Sequence, residues 1–241
     1  MKSRLFKLTG LLAMTLMIIL LGTSVGYADA PVATYEVTIR NLVTEGQPLT
    51  PPLVAVHRAS TDIFTVGEAA SFGLKEVAEN GNLGPLHKAL LDDKHEADVT
   101  IAASSDPPPL LPKESVTFMI TGSKGAKYLS YVSMLICTND GFTGVDSVRL
   151  PKKVGDHVTV LTNGYDAGTE INTEDFADMV PPCQALVGVS SEDVGSGMSD
   201  PALAENGVIR HHPRIQGGED LIPAIHGWTD PVSEVVITRI E

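Results

Sequence analysis

Tyr128-Leu129-Ser130-Tyr131-Val132-Ser133-Met134-Leu135-Ile136-Cys137 is the most apolar strand-like run in the chain beyond its first thirty residues. A short run of this kind, ended by turn residues, reads as a strand near the centre of a sheet. It leads into Thr138-Asn139-Asp140-Gly141-Phe142-Thr143-Gly144-Val145-Asp146, whose Asp, Asn and Gly content reads as a loop. Working outward, Ser115–Ile120 and Val158–Leu161 are strands on either side, and Tyr35-Glu36-Val37-Thr38-Ile39-Arg40 alternates with a period of two. Leu53–Val56, Asp98–Ala102, Gly207–Arg210 and Val235–Ile240 complete a set of about eight. Between Glu68 and Asp93 the apolar spacing turns helical, with Ala69, Phe72, Leu74, Val77 and Ala78 before Asn80-Gly81 and Leu86, Ala89, Leu90 and Leu91 after it. Residues 184–206 and Pro107-Pro108-Pro109 read as loops. Strands separated by turns, without βαβ alternation or an internal repeat, predict a mainly β chain: an antiparallel β-sandwich with two short inserted helices.

The first residues set the compartment. Lys2, Arg4 and Lys7 precede an apolar run from Leu11 to Leu21, and small residues follow up to Gly26 and Ala28. This is the layout of a signal peptide, residues 1–28, cut after Ala28. A run this short falls below the roughly 20 residues that span a bilayer, so a retained anchor is the weaker reading. Removing the three basic residues of the signal takes the 17 basic residues to 14, against 30 acidic ones, a net charge of −16. Such a surface excludes nucleic acid as a natural partner, because phosphate contacts need clustered Lys and Arg. The exported part, residues 29–241, is expected to be one domain, secreted or periplasmic, with no transmembrane segment after cleavage. Cys137 and Cys183 form an even pair in an oxidising compartment and are a candidate disulfide, with two buried thiols as the alternative.

No G-x-S-x-G elbow, H-E-x-x-H helix, phosphate-binding loop or dinucleotide fingerprint is present. What remains are acidic residues in Gly-rich segments. Asp140 ends the turn after the apolar strand, and Tyr165-Asp166-Ala167-Gly168-Thr169-Glu170 follows a later strand. If both strands end at one edge, Asp140, Asp166 and Glu170 converge. Three carboxylates so held repel unless a cation neutralises them, and oxygen donors of irregular geometry suit Ca²⁺. Ordinary solvated turns are the plainer alternative. Asp146 is a secondary candidate. His211, His212 and His226 are a weaker trio for zinc or copper, since adjacent residues of a strand point to opposite faces. Trp228 is expected to be a core or loop anchor, and Asp92-Asp93 a solvated helix end.

Several of these segments resemble one family. Tyr35–Leu42 with Gln47-Pro48-Leu49, and Val66-Gly67-Glu68-Ala69-Ala70-Ser71-Phe72-Gly73-Leu74, are similar to the opening of the spondin N-terminal domain found in F-spondin, mindin and bacterial secreted proteins. Asn139–Ser147 resembles that family's SPDWFVGVDS-type segment, and Tyr165–Glu170 its YDAGTD motif. The resemblance runs from Thr34 to Ile240. It implies a C2-like sandwich that binds one calcium ion at one end, with Asp140, Asp166 and Glu170 as ligands. Here Gly141 stands where the family has tryptophan, and Glu170 where it has aspartate. The resemblance further implies a non-catalytic adhesion or interaction module with an extracellular protein or glycan ligand. A metal-dependent extracellular hydrolase, and a periplasmic transition-metal protein using His211, His212 and His226, are the competing readings.

Overall fold

The computed structural model describes residues 33–92, 96–101, 109–122, 125–189 and 191–241. The signal peptide, Asp93, Ala102 and Pro107-Pro108 lie outside these residues. Strand β1 (Ala33–Asn41) turns Tyr35, Val37 and Ile39 inward and leaves Glu36 and Arg40 exposed, as period-two alternation dictates. Strand β2 (Leu53–His57) is buried at every position. Helices α1 (Phe72–Asn80) and α2 (Gly84–Asp92) follow, then β3 (Glu96–Ile101), β4 (Ser115–Gly122), β5 (Tyr128–Met134), β6 (Gly141–Arg149), β7 (His157–Thr162) and β8 (Gly164–Asp166). A short helix α3 (Pro182–Val187), strand β9 (Arg210–His211), helix α4 (Pro223–His226) and strand β10 (Ser233–Arg239) end the chain.

The strands form two antiparallel sheets, one in the order β4-β1-β10-β7 and one in the order β3-β2-β5-β6-β8-β9. Between the sheets lies the larger core, where Val37, Ile39 and Ile237 meet Val54, Val56 and Leu129. The second sheet is also covered on its other face. There Leu53 and Ala55 pack against Leu74, Val77 and Ala78 of α1 and Leu86 and Leu90 of α2. Burial on both faces is why β2 carries an unbroken apolar run and not an alternating one. Each fully buried Val or Leu contributes about 1.5–3 kcal/mol, and this holds the helices to the sheet. Ser71 caps α1 by accepting from Leu74 N at 3.1 Å, and Gly81 ends it at φ 63°.

The sandwich and both inserted helices are as the sequence implies, but two segments of loop-like composition are strands. Gly141–Arg149 is β6, central to its sheet, and Gly164–Asp166 is β8. The acidic residues therefore sit at strand ends, not in open loops. Glycine within β6 reflects close backbone approach and not a turn: a Cβ on Gly144 would lie 2.2 Å from Tyr131 O across the ladder. The strand expected at Gly207–Arg210 is shorter and later, at Arg210–His211. Cys137 and Cys183 are joined in a disulfide with Cα atoms 5.1 Å apart, which links the end of β5's extension to α3.

Candidate metal centre

The turn from β5 to β6 is built by side chains that leave Asp140 little freedom. Thr138 Oγ1 donates to Leu135 O at 2.6 Å and accepts from Gly141 N at 2.9 Å. A Cβ on Gly141 would lie 2.4 Å from that same Oγ1, so the departure from the family's tryptophan matches a turn closed by Thr138. Gln47 brackets Cys137, donating to its carbonyl at 2.9 Å and accepting from its N–H at 3.2 Å. Asn139 Oδ1 accepts from Thr173 N at 3.1 Å.

Across the sheet, Gly141 pairs with Asp166, and Ala167 N donates to Asp140 O at 3.1 Å. Asp140 and Asp166 are thus neighbours on adjacent strands. Asp140 Oδ2 accepts from Thr169 N at 2.7 Å and Glu170 N at 3.1 Å. Asp166 Oδ1 accepts from Gly168 N at 2.8 Å, while its Oδ2 accepts from Asn172 Nδ2 at 2.7 Å and Arg210 Nη2 at 3.1 Å. Gly168 makes this turn with φ 68°, and a Cβ there would be 2.5 Å from Val208 O, so only glycine fits. Glu170 bridges to Ala204 on the other side. Asp140 and Asp166 are 0% exposed and Glu170 is 4% exposed.

Burying charge raises a carboxyl's proton affinity unless a partner compensates. Burial, reinforced by the charge of Asp166, pushes Asp140 up to about 7. Burial and then the charge of Glu79 push Glu170 up to about 8. Asp166 is also raised by burial, opposed by Asn172, Gly168 and Arg210. Arg210 is shared with Glu205, which it meets at 2.6 and 3.0 Å. Asp140 Oδ1 is buried with no hydrogen-bond partner. An orphaned buried carboxylate oxygen beside two further acids is a donor set of the hard, anionic kind that Ca²⁺ takes. The three carboxylates share one edge but are not drawn into a single tight cluster. Among the described residues the trio whose oxygens lie within 4.8 Å of one another is Asp175, Asp193 and Asp220. Those three are partly or fully exposed and have structural partners: Asp175 accepts from Ala177 N at 2.8 Å in a local turn, and Asp220 accepts from Phe176 N at 3.0 Å across 44 residues.

The motif spacing does not single out Glu79. It lies on α1 with a side chain 1% exposed, and among the described residues it pairs with Lys75, whose Nζ is 3.0 Å from Oε1. That approach is not aligned as a hydrogen bond, and both Glu79 oxygens lack one. The next residue, Asn80, donates to Ser199 Oγ at 3.0 Å, which ties this end of α1 to the segment that Glu170 bridges. Its place at the fourth position after Lys75, inside an apolar helical face, was the available signal.

Other candidates fall elsewhere. Asp146 Oδ1 accepts from Ile63 N and Ser130 Oγ, each at 3.0 Å, so it fastens the segment after β2 and stands apart from the acidic edge. His211 is exposed, with its ring 5.3 Å from that of Tyr165. His212 and His226 are buried, and the Nδ1 of each accepts a backbone N–H, from Arg214 at 2.9 Å and Ile222 at 2.8 Å. A neutral imidazole that accepts at Nδ1 carries its proton on Nε2. Metal-bound histidines show the reverse pattern, donating from the second nitrogen to an acceptor. The histidines therefore do not form the zinc or copper trio. Trp228 is 7% exposed against His212, ring centres 5.0 Å apart, and is an anchor as expected. Asp92 is exposed at the end of α2, 2.5 Å from Lys88 Nζ.

No curated protein is matched by the chain. A family model described as Spondin_N matches residues 46–182, more than half of the chain. The matched stretch contains Glu79, Asp140, Asp166 and Glu170 together, and both faces of the β6–β8 ladder that brings them to one edge. The chain belongs to the spondin N-terminal domain family.

Proposed function

We propose that this protein is a calcium-binding, non-catalytic interaction module that acts outside the cytoplasm, secreted or periplasmic, on an extracellular protein or glycan. The observation that carries the reading is Asp140 Oδ1, buried and without a hydrogen bond, beside Asp166 and Glu170. Calcium would supply positive charge beyond that of Arg210, which is shared between Asp166 and Glu205. Asp140, Asp166 and Glu170 are the residues to hold it, and Glu79 is an added acidic neighbour. Asp166 and Glu170 flank the turn after β8 and Asp140 lies in the turn before β6, so binding would fasten the two turns together and order the edge as a surface. The disulfide fits an oxidising compartment, and among the described residues no helix is long and apolar enough to cross a membrane. Thermal melts of the exported chain in millimolar calcium and in chelator test the proposal. A ligand that binds only the folded state raises the midpoint. The midpoint should rise with calcium in the natural protein and stay put in Asp140→Asn; equal midpoints for the natural protein in both solutions would overturn it.

A further inference from the structure

At the far end of β5 and β6 from Asp140, the charge reverses. Tyr128 pairs with Arg149 there, whereas Met134 pairs with Phe142 at the acidic edge. At about 3.3 Å per residue the two ends are separated by roughly 20–25 Å. A pocket of about 290 Å³ opens at this end. Its charged lining is Lys127, Arg149, Lys152 and Arg239, with no acidic residue, in a chain holding 30 acidic residues against 17 basic. Lys127, Arg149 and Lys152 are exposed, and none forms an ion pair among the described residues. Arg239 is fixed: its Nε donates to Glu241 O at 2.7 Å and its Nη1 to Lys152 O. The side-chain carboxylate of Glu241 accepts from Thr34 Oγ1 at 2.9 Å. The buried part of the lining is apolar and aromatic, with Ala126, Leu150 and Tyr35.

Four cations on an otherwise acidic molecule repel one another and draw in anions. A rim of donors around an apolar lining selects an anionic group carried on a compact skeleton and not a free inorganic ion, because the skeleton has surface to bury. A long polyanion such as nucleic acid would be repelled by the rest of the surface. We infer that this pocket binds a carboxylate- or sulfate-bearing sugar ring, independently of the acidic edge.

Titration calorimetry on the disulfide-bonded exported chain tests the inference, using a trigalacturonate for carboxylate, a sulfated heparin tetrasaccharide for sulfate, neutral maltotriose, and pentaglutamate as an acidic peptide. Binding of either charged sugar is expected, at least tenfold tighter than maltotriose or pentaglutamate and weakened several-fold between 50 and 300 mM salt. The two sugar arms decide which anion is preferred. Lys127→Ala with Arg149→Ala should weaken it at least tenfold, while Asp140→Asn leaves it unchanged. No binding of either charged sugar, equal binding by the double variant, or tighter binding of pentaglutamate would each overturn the assignment.

Discussion

The two ends of the β5–β6 pair carry opposite charge and handle it in opposite ways. At the acidic end the charges are inside: Asp140 and Asp166 are fully buried, and their donors are backbone N–H groups, the Thr169 hydroxyl, Asn172 and one guanidinium shared with Glu205. At the basic end the charges are outside, on exposed Lys127, Arg149 and Lys152 around an apolar lining. Burial makes a charge costly and therefore dependent on a partner, whereas exposure leaves it screened and cheap. Stability should thus respond to changes at the acidic end and ignore those at the basic end, while binding can respond at both.

The largest effect is expected from the covalent link beside the acidic turn. Cys137 and Cys183 close a loop of 46 residues, for which chain entropy alone gives about 4 kcal/mol. Cys137→Ser with Cys183→Ser should lower stability by about 2–5 kcal/mol, read from urea melts, and should also weaken the calcium response because the bracket around Cys137 loosens. A variant within 0.5 kcal/mol of the parent would show that Gln47 and Thr138 hold the turn unaided.

Calcium and pH come next, and they are coupled. In chelator, Asp140 and Glu170 have folded-state proton affinities above their ordinary values of 3.8 and 4.5, at about 7 and about 8. A group whose folded state holds its proton more tightly favours folding at low pH and loses that contribution as pH rises. In chelator the midpoint should therefore fall as pH rises from about 4 to about 8. Calcium requires the ionised form, so its stabilisation should grow over the same window, reaching about 2.7 kcal/mol at a hundred times its dissociation constant. Parallel pH profiles with and without calcium would dissolve the link between these acids and the ion.

A smaller pair of effects should have opposite signs. Arg210→Met removes the cation from Asp166 but leaves the carboxylate buried, and should cost about 1–2 kcal/mol in chelator, given the partly exposed guanidinium, and less in calcium. Glu79→Gln removes a buried charge that has no hydrogen bond, and should raise the midpoint in chelator while reducing the gain from calcium. A lower midpoint in chelator would mean that the pairing with Lys75 outweighs the repulsion on Glu170.

How far the sequence carried these features depended on whether a local pattern had one meaning. Tyr35–Arg40 alternates because one face is buried, so β1 was legible without its partners. Asn139–Ser147 was not, because glycine and aspartate mark both open turns and backbones pressed together, and only the ladder to Tyr131 decides between them. Asp140, Asp166 and Glu170 were legible as a set through their spacing and the family's motifs, yet which oxygens are free depends on Thr169, Asn172 and Arg210, up to 44 positions away from the carboxylate each one meets. Glu79 hid within a helical face. The basic pocket gathers Lys127, Arg149 and Arg239 from three separate segments, and a net charge of −13 for the whole chain gives no hint of it.

The smallest expected change in stability is the most direct test of the contrast between the ends. Lys127→Ala with Arg149→Ala touches exposed side chains that form no ion pair among the described residues, and surface changes of this sort stay within about 0.5 kcal/mol. Removing two like charges from a crowded rim should, if anything, stabilise slightly, because the remaining Lys152 and Arg239 then repel less. The midpoint should be flat or marginally higher, and its calcium increment the same as the parent's, since roughly 20–25 Å of β-sheet and more than two Debye lengths at physiological salt lie between the ends. A fall of more than 1 kcal/mol would mean that these cations hold the fold together, through contacts with the strand ends, and that the division between a structural acidic end and a binding basic end is false.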